Sequence, residues 1–373
     1  MSANTSTYWG QSGRRDSYSL RMVDPFTLED CGGLDFDPEA CSITWDAAGD
    51  NFAQASISIA GDGLARVGYD RLMRVVHRCE AGGVVVDDVL GTFFVDRAPR
   101  SVGRGLDSCT ADCYSTLYRM TQDVLADDLS RPKGTKVASI ISDVVTEVGG
   151  VLSVGLRATE GDVGASGQIF FPLGTNRAEC LRSLAGFIGC RIGVDPWGRV
   201  TLERALGSSE IAPSYEFEAG ANCVCLPGRT DDEGIDEPIN RVVAYWSRTA
   251  EDESDGLGVT GRCVVDLDPG DRYSYERCGR RRTYVLKLSQ AYTAKELENQ
   301  ARAYLADHSG STRYVEIEHV RVPGLNAGDV VIYRGGPNDP ANMTCQIEQM
   351  SVSALGKGCM TKSKMRVIGE AMR

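Results

Sequence analysis

Apolar residues in this chain follow two incompatible periods, and the places where each period holds limit the fold more than any single motif does. Near the start, Cys41-Ser-Ile-Thr-Trp-Asp46 and Ala55-Ser-Ile-Ser-Ile-Ala60 alternate strictly, so Ile43 and Trp45, then Ile57 and Ile59, line one face of a strand. Gly61-Asp62-Gly63 marks a turn after them. Two longer runs, around Leu72 to His77 and from Leu90 through Val95, read as strands separated by the loop Glu80-Ala-Gly-Gly83. About five or six strands of this kind make a β domain that closes as a barrel or a sandwich.

After Gly105 the period changes. Tyr114, Leu117, Tyr118, Thr121, Val124 and Leu125 follow helical spacing, as do Val137, Ile140, Ile141, Val144 and Val148 before Gly149-Gly150 stops the second helix. A third helix begins at Asn176, with Glu179 placed for a capping box and Leu181, Leu184, Ala185 and Ile188 on the buried side. The hairpin that follows turns at Asp195-Pro-Trp-Gly198, with proline second and glycine fourth as a type I turn prefers.

Ile239 to Trp246 supplies another strand, and the chain then becomes polar with a charge split. Arg229 to Asp268 holds eleven acidic and four basic residues, whereas Arg272 to Lys287 holds six basic and one acidic. Solvated loops account for such a region by default, and Arg280-Arg281-Arg282 could dock on an acidic neighbour through forked donors. Thr293-Ala-Lys-Glu296 opens a helix with Leu297, Ala301, Tyr304 and Leu305 inward, and strand signals resume at Tyr314-Val-Glu-Ile-Glu318 and run to Arg366-Val-Ile368. Between them lies Val322-Pro-Gly-Leu-Asn-Ala-Gly-Asp-Val-Val-Ile-Tyr333. It lacks the lysine and following helix of a phosphate cradle, so Gly324 and Gly328 bracket a bend and Asp329 bonds turn backbone before a strand. The expected class is α+β and β-rich. It has a first β-barrel-like domain (1–106), an inserted α+β domain (107–212), and return strands with a second β-barrel-like domain and a helix at 293–309 (213–373).

Chemistry is harder to place. A net charge of −12 argues against a dedicated nucleic-acid binder. No apolar run reaches the ~18 residues of a membrane span, and the first residues lack the apolar core of a secretion signal, which points to assembly in the cytosol. Thirteen cysteines are scattered without the spacing of a zinc site. Cys109 and Cys113 would share a helical face, Cys223 and Cys225 one side of a strand, and most read as small buried hydrophobes. Of the three histidines, His77 suits a core strand, His308 a helix end, and His319 a strand surface. Hydrolase nucleophile and zinc-protease motifs are absent, and a glycosidase carboxylate pair can be neither named nor excluded. The aromatic pairs Tyr114/Tyr118 and Tyr284/Tyr292 read as core. No catalytic, cofactor-binding or metal-ligating residue is nominated, and no cofactor is expected.

The order of phrases carries more. Gly33-Leu34 with Ser42-Ile-Thr-Trp-Asp46, Leu90-Gly-Thr-Phe-Phe-Val95, a helical unit opened near Asp112, Pro238-Ile-Asn-Arg-Val-Val243, the helix from Thr293 and Pro323-Gly-Leu-Asn-Ala-Gly-Asp-Val-Val331 resemble the tail hub proteins of tailed phages and related injection machines. The likeness includes the N-terminal hub part of tail-associated lysins and covers nearly the whole chain. It implies two related barrels per chain in a homotrimer, a ring joining a sixfold tail tube to threefold tip structures. The implied partners are a distal tail or tail tube protein, a tape measure protein and tip or fibre proteins, in the virion tail tip. DNA would pass without specific binding through a lumen lined by Asp, Glu and small polar residues. A cell-wall glycan or peptide hydrolase and a carbohydrate-binding attachment protein remain the alternatives.

Overall fold

Strict alternation produces strands buried on one face only, and here those strands join edge to edge rather than closing on themselves. The computed structural model describes residues 9–10, 13–60, 63, 71–98, 100–101, 108–155, 162, 164–165, 168–204, 212–218, 223–233, 239–247, 259–271, 273–288, 294–309, 313–336, 341–356 and 359–370. Within them the chain is α+β and β-rich.

The first β section contains β1 (Arg15–Val23), β2 (Asp30–Leu34), β3 (Ser42–Asp46), β4 (Ala53–Ala60), β5 (Leu72–Ala81), β6 (Val84–Arg97), β7 (Arg100–Ser101) and β8 (Ser108–Ser115). The expected loop at 80–83 is a two-residue hairpin turn: Ala81 pairs with Val84, while Gly82 and Gly83 take φ of 57° and 80°. The α+β unit follows with β9 (Leu129–Arg131), α1 (Val137–Glu147), β10 (Leu152–Val154), β11 (Ile169–Phe171), α2 (Arg177–Phe187), β12 (Cys190–Val194) and β13 (Val200–Arg204). Asn176 caps α2 by accepting from the backbone N–H groups of Ala178 and Glu179. The helix expected over 114–125 does not form. Strand β8 runs through Ser115, and only Tyr118–Thr121 makes a helical turn. Cys109, Ala111 and Cys113 keep the two-residue period that places them in the sheet core, and this tertiary demand overrides the weaker helical spacing.

The second β section holds β14 (Tyr215–Glu218), β15 (Thr230–Glu233), β19 (Arg313–Val320), β20 (Val330–Arg334), β21 (Asn342–Val352) and β22 (Met360–Glu370). Between β15 and β19, a small layer of β16 (Arg241–Ser247), β17 (Val259–Asp266) and β18 (Thr283–Leu288) packs on α3 (Ala294–His308). The charge-split region is thus partly built into strands rather than being loop throughout. The Thr293 cap of α3 lies outside the described residues, as do 234–238 and 248–258 of the acidic stretch.

Two separate closed barrels are not what the described strands form. One fourteen-stranded sheet runs β15-β19-β22-β21-β3-β4-β8-β6-β5-β1-β2, with β7, β14 and β20 off the path. The joint is β3 against β21, antiparallel, with Ile43 opposite Val352 and Asp46 opposite Gln349. Both sections accordingly share one core that includes Ile43, Trp45, Ile57, Phe93, Ile317, Ile347 and Met365. The joining hydrogen bonds sit about 300 residues apart in sequence, where no local pattern reports them.

Candidate functional site

The three histidines singled out for chemistry each have a structural partner. His77 is fully buried on β5, stacks on Tyr18 at 5.1 Å and donates from Nε2 to Asp16 at 2.6 Å. Arg14 also holds Asp16, at 2.9 Å. Burial opposes ionisation of Asp16, but the His77 and Arg14 hydrogen bonds outweigh it and keep the carboxyl below its usual range. Asp16, His77 and Cys79 are close enough to share an ion, yet Arg14 already supplies the cation, and burial pushes the Cys79 thiol up to about 11. That chemistry fits an ion-paired core better than a metal site.

His319 corrects the expectation of a surface position. Val315, Ile317 and His319 point inward from β19 while Glu316 and Glu318 point out, so the ring is fully buried. Its Nδ1–H donates to the Val320 carbonyl at 2.8 Å, its Nε2 accepts from Ser363 Oγ at 2.8 Å, and burial drives its pKa down to about 4. His308 closes α3, with Nδ1 at 2.9 Å from the Tyr304 carbonyl. Tyr114 and Tyr118 stack at 4.7 Å on the surface rather than in the core, and the Tyr118 hydroxyl donates to Asp96. Tyr284 is exposed and stacks on Tyr304, while Tyr292 lies outside the described residues. All thirteen cysteines are free thiols. Arg280 and Arg281 are exposed, and Arg281 lies 4.4 Å over the Tyr275 ring.

Sequence reasoning missed the polar seam between the sections. Arg321 is fully buried, donates to Asp88 at 3.0 Å and lies 5.3 Å from the Trp45 ring. The second Asp88 oxygen accepts from Gly324 N–H, so the bend at 322–328 is fastened to β6. The bend itself is as expected: Gly324 and Gly328 take φ of 80° and 97°, and Asp329 accepts from Asn326 N–H at 2.8 Å. Beside it a cleft of about 390 Å³ separates the β body from the β12–β13 hairpin, with Trp45, Phe52, Arg191, Glu203 and Asp329 on its walls. Arg74 and Thr92 hold that hairpin by its turn carbonyls, at Trp197 and Pro196, and Thr116 holds Gly198. Among the described residues the cleft lining includes neither histidine nor cysteine.

A further candidate surface is the outer face of the sheet. One register-matched row crosses seven strands: Glu318, Lys362, Ser351, Thr44, Gln54, Tyr114 and Phe94. A second row in the first section runs Ser42, Ser56, Asp112 and Arg97. The face therefore changes along its length. It carries hydroxyls and amides on β3 and β4, and ion pairs on β19 and β22, where Lys362 meets Glu316 at 2.7 Å.

This architecture is that of phage and prophage tail proteins. The tail protein from Neisseria meningitidis MC58 matches with a TM-score of 0.62 at 14% identity, over 94% of this chain and 96% of its own. The 43 kDa tail protein of prophage MuSo2 from Shewanella oneidensis gives 0.61 at 14% identity, over 94% of this chain and 98% of its own. Prophage tail protein gp18 from Listeria monocytogenes EGD-e gives 0.56 at 10% identity, over 93% and 94%. The chain thus shares the fold of these proteins along nearly its whole length. No family model matches the sequence, and no curated protein matches it.

Proposed function

We propose that this chain is a structural hub of a phage tail tip or baseplate, a homotrimeric ring that joins a sixfold tail tube to threefold tip components and lets DNA pass. The observation that carries the reading is the whole-length likeness of fold to three tail proteins. The sheet adds to it: two β sections share one core and present one register-matched outer face, polar from β19 to β4, which suits the wall of a passage. On β3, β4 and β8 that face offers Ser42, Thr44, Gln54, Ser56, Thr110 and Asp112, groups that do not attract phosphate as lysine and arginine do. Each chain would contribute two β units, the first running through β8 and the second starting at β14, with the α+β unit of β9 to β13 outward, toward tail tube, tape measure or fibre proteins in the virion. Light scattering during size-exclusion chromatography tests the ring. A mass of three chains is expected, and a monomer that also fails to assemble with tail proteins overturns the reading.

A hydrolase reading has one foothold. Asp329, whose carboxyl burial pushes above its usual range, feels the charge of Glu203 across the cleft, and glycoside hydrolysis uses a pair of carboxyl groups. The Asn326 N–H on Asp329 and the position of the acid at the foot of β20 favour a turn-holding role. Clearing of a cell-wall zymogram that Asp329→Asn abolishes would reverse that preference.

A further inference from the structure

The cleft beside the 322–328 bend has two unlike walls. One is aromatic: Trp45 on β3 and Phe93 on β6 point inward, and Phe52 stands at the end of the β3–β4 turn. Trp45 is fixed in place, since its Nε1 donates to the Leu90 carbonyl at 2.8 Å. Phe52 has φ of 59°, a strained left-handed conformation for an aromatic residue, and its ring packs against both the shared β core and the core of the α+β unit. The other wall is the hairpin. Ile192, Val194, Val200 and Leu202 of β12 and β13 pack into the α+β core, while the alternate residues line the cleft as two register pairs, Arg191 opposite Glu203 and Gly193 opposite Thr201. Arg191 and Glu203 are exposed, and neither side chain has a hydrogen bond or ion pair among the described residues.

That contrast decides the chemistry of an occupant. A phosphate would meet Glu203 and Asp329 as well as Arg191, and an ammonium group would meet Arg191 as well as the acids, so net charge gains little here. A wholly apolar ligand would strip water from two charges and leave them unpaired. A pyranose avoids both costs. It has a face of C–H groups to lay against the rings, and its rim of hydroxyls both donates and accepts. Neighbouring hydroxyls then donate to the Glu203 carboxylate and accept from the Arg191 guanidinium, two partners that stand side by side across the hairpin. Gly193 keeps that wall low, since a Cβ there would press on Thr201 Oγ1 at 3.0 Å. The volume of about 390 Å³ falls among small-molecule sites. Asp329 is already engaged by the Asn326 N–H at 2.8 Å, which leaves Arg191 and Glu203 as the charged groups open to a ligand on opposite strands of the hairpin.

We infer that this cleft binds a neutral saccharide, one sugar ring lying against the wall of Trp45, Phe52 and Phe93 with its hydroxyls held by Arg191 and Glu203. The inference goes beyond the hub reading and does not depend on it. Trp45 and Phe93 point into the core while Thr44 and Phe94, their neighbours in sequence, belong to the outer face, so a bound sugar and the passage occupy opposite sides of the sheet.

The test places the wild-type chain on an array of neutral hexose, N-acetylhexosamine and uronic-acid oligosaccharides, followed by saturation-transfer NMR with the neutral sugar retained. Retention of a neutral sugar is expected, with transfer strongest to the C–H protons of one ring. Arg191→Ala and Glu203→Ala should each weaken binding about tenfold or more, as the loss of a hydrogen bond to a charged group does. Glu203→Gln, which keeps a planar hydrogen-bonding group, should lose less, and Lys362→Ala on the opposite face should change nothing. Both cleft side chains are exposed, so circular dichroism should show each variant folded. Retention of no neutral saccharide, retention of uronic acids alone, or binding indifferent to both Arg191→Ala and Glu203→Ala overturns the inference. Light scattering on the same variants separates this outcome from the hub reading: the assembled mass should be unchanged, and a ring that forms yet binds no sugar removes the cleft site alone.

Discussion

Each β section buries one histidine, and the two are satisfied in different ways. In the first section His77 donates to the carboxylate of Asp16, which Arg14 also holds, so the core contains charge. In the second section His319 lies between a carbonyl and a hydroxyl, beside the Phe217 ring at 4.9 Å, with no carboxylate bonded to it. The first ring bonds a carboxylate that is itself held below its usual range, whereas burial in the second pocket opposes protonation of His319. The same residue type, on the same inward side of a strand, is therefore tied to a carboxylate in one half of a shared sheet and sealed among neutral groups in the other.

The strongest way to break this comparison is at the seam both halves share. Removing Arg321 leaves Asp88 buried without its cation, and Arg321→Ala should cost about 3–5 kcal/mol in urea unfolding. Replacing both partners, as Arg321→Met with Asp88→Leu, should recover much of that loss, because no uncompensated charge remains. If Arg321→Ala unfolds only one section, seen as two transitions, the common core is less continuous than the β3–β21 joint implies.

Acid should separate the sections next. The folded pKa of His319, about 4, lies below its ordinary 6.5, so the stabilisation of the neutral ring is complete above about pH 6.5 and is lost as pH falls toward 4. At ~1.4 kcal/mol per unit this is on the order of 3 kcal/mol. Asp16 is held below its usual 3.8, so its contribution persists until pH falls beneath that value. Hydrogen exchange at pH 5 should therefore open β19 and β22 before β1 and β5, and His319→Gln should flatten the slope between pH 6.5 and 4. Equal protection in both sections across that range would remove the distinction.

What the sequence discloses follows the reach of each interaction. Helix α1 and its glycine stop, the Asn176 cap and the Asp195–Gly198 turn are decided by neighbours a few residues away, and all were legible. The Arg321–Asp88 pair spans 233 residues and the β3–β21 joint more, so neither leaves a local trace. His319 was misread because a polar residue at the end of a strand ordinarily faces water. The inward alternation of Val315 and Ile317 held the contrary signal. Tyr114 to Leu125 fits helical spacing, but the alternation of Cys109, Ala111 and Cys113 before it was the better guide. The residues that share the outer face required the strand register, which no local pattern reports.

A smaller effect concerns how the α+β unit is held to the first section alone. Gly198 has φ of 89°, and a Cβ there would meet Thr92 and Thr116 at 3.0 Å. Gly198→Ala should cost about 1–3 kcal/mol through backbone strain and displaced contacts. Its signature should be earlier proteolysis of the β12–β13 hairpin, with the second section unaffected.

The smallest effect sharpens the contrast between the two halves of the outer face. Lys362 and Glu316 pair at 2.7 Å with their side chains 50% and 34% exposed, a setting in which solvent screens the attraction and the long side chains lose freedom. Lys362→Ala should leave the unfolding midpoint within experimental scatter. Thr44→Lys, in the same register row on β3, should be as quiet in stability, since Thr44 is only half-buried and faces away from the core. The two differ in what they do to charge: the first removes a cation already neutralised by its neighbour, the second adds one to a stretch of hydroxyls and amides. If the face lines a passage for DNA, Thr44→Lys should create duplex retention by the assembled ring that weakens steeply with salt, while Lys362→Ala should create none. Retention unchanged by Thr44→Lys would place the β3–β4 surface away from DNA, whatever the oligomeric state.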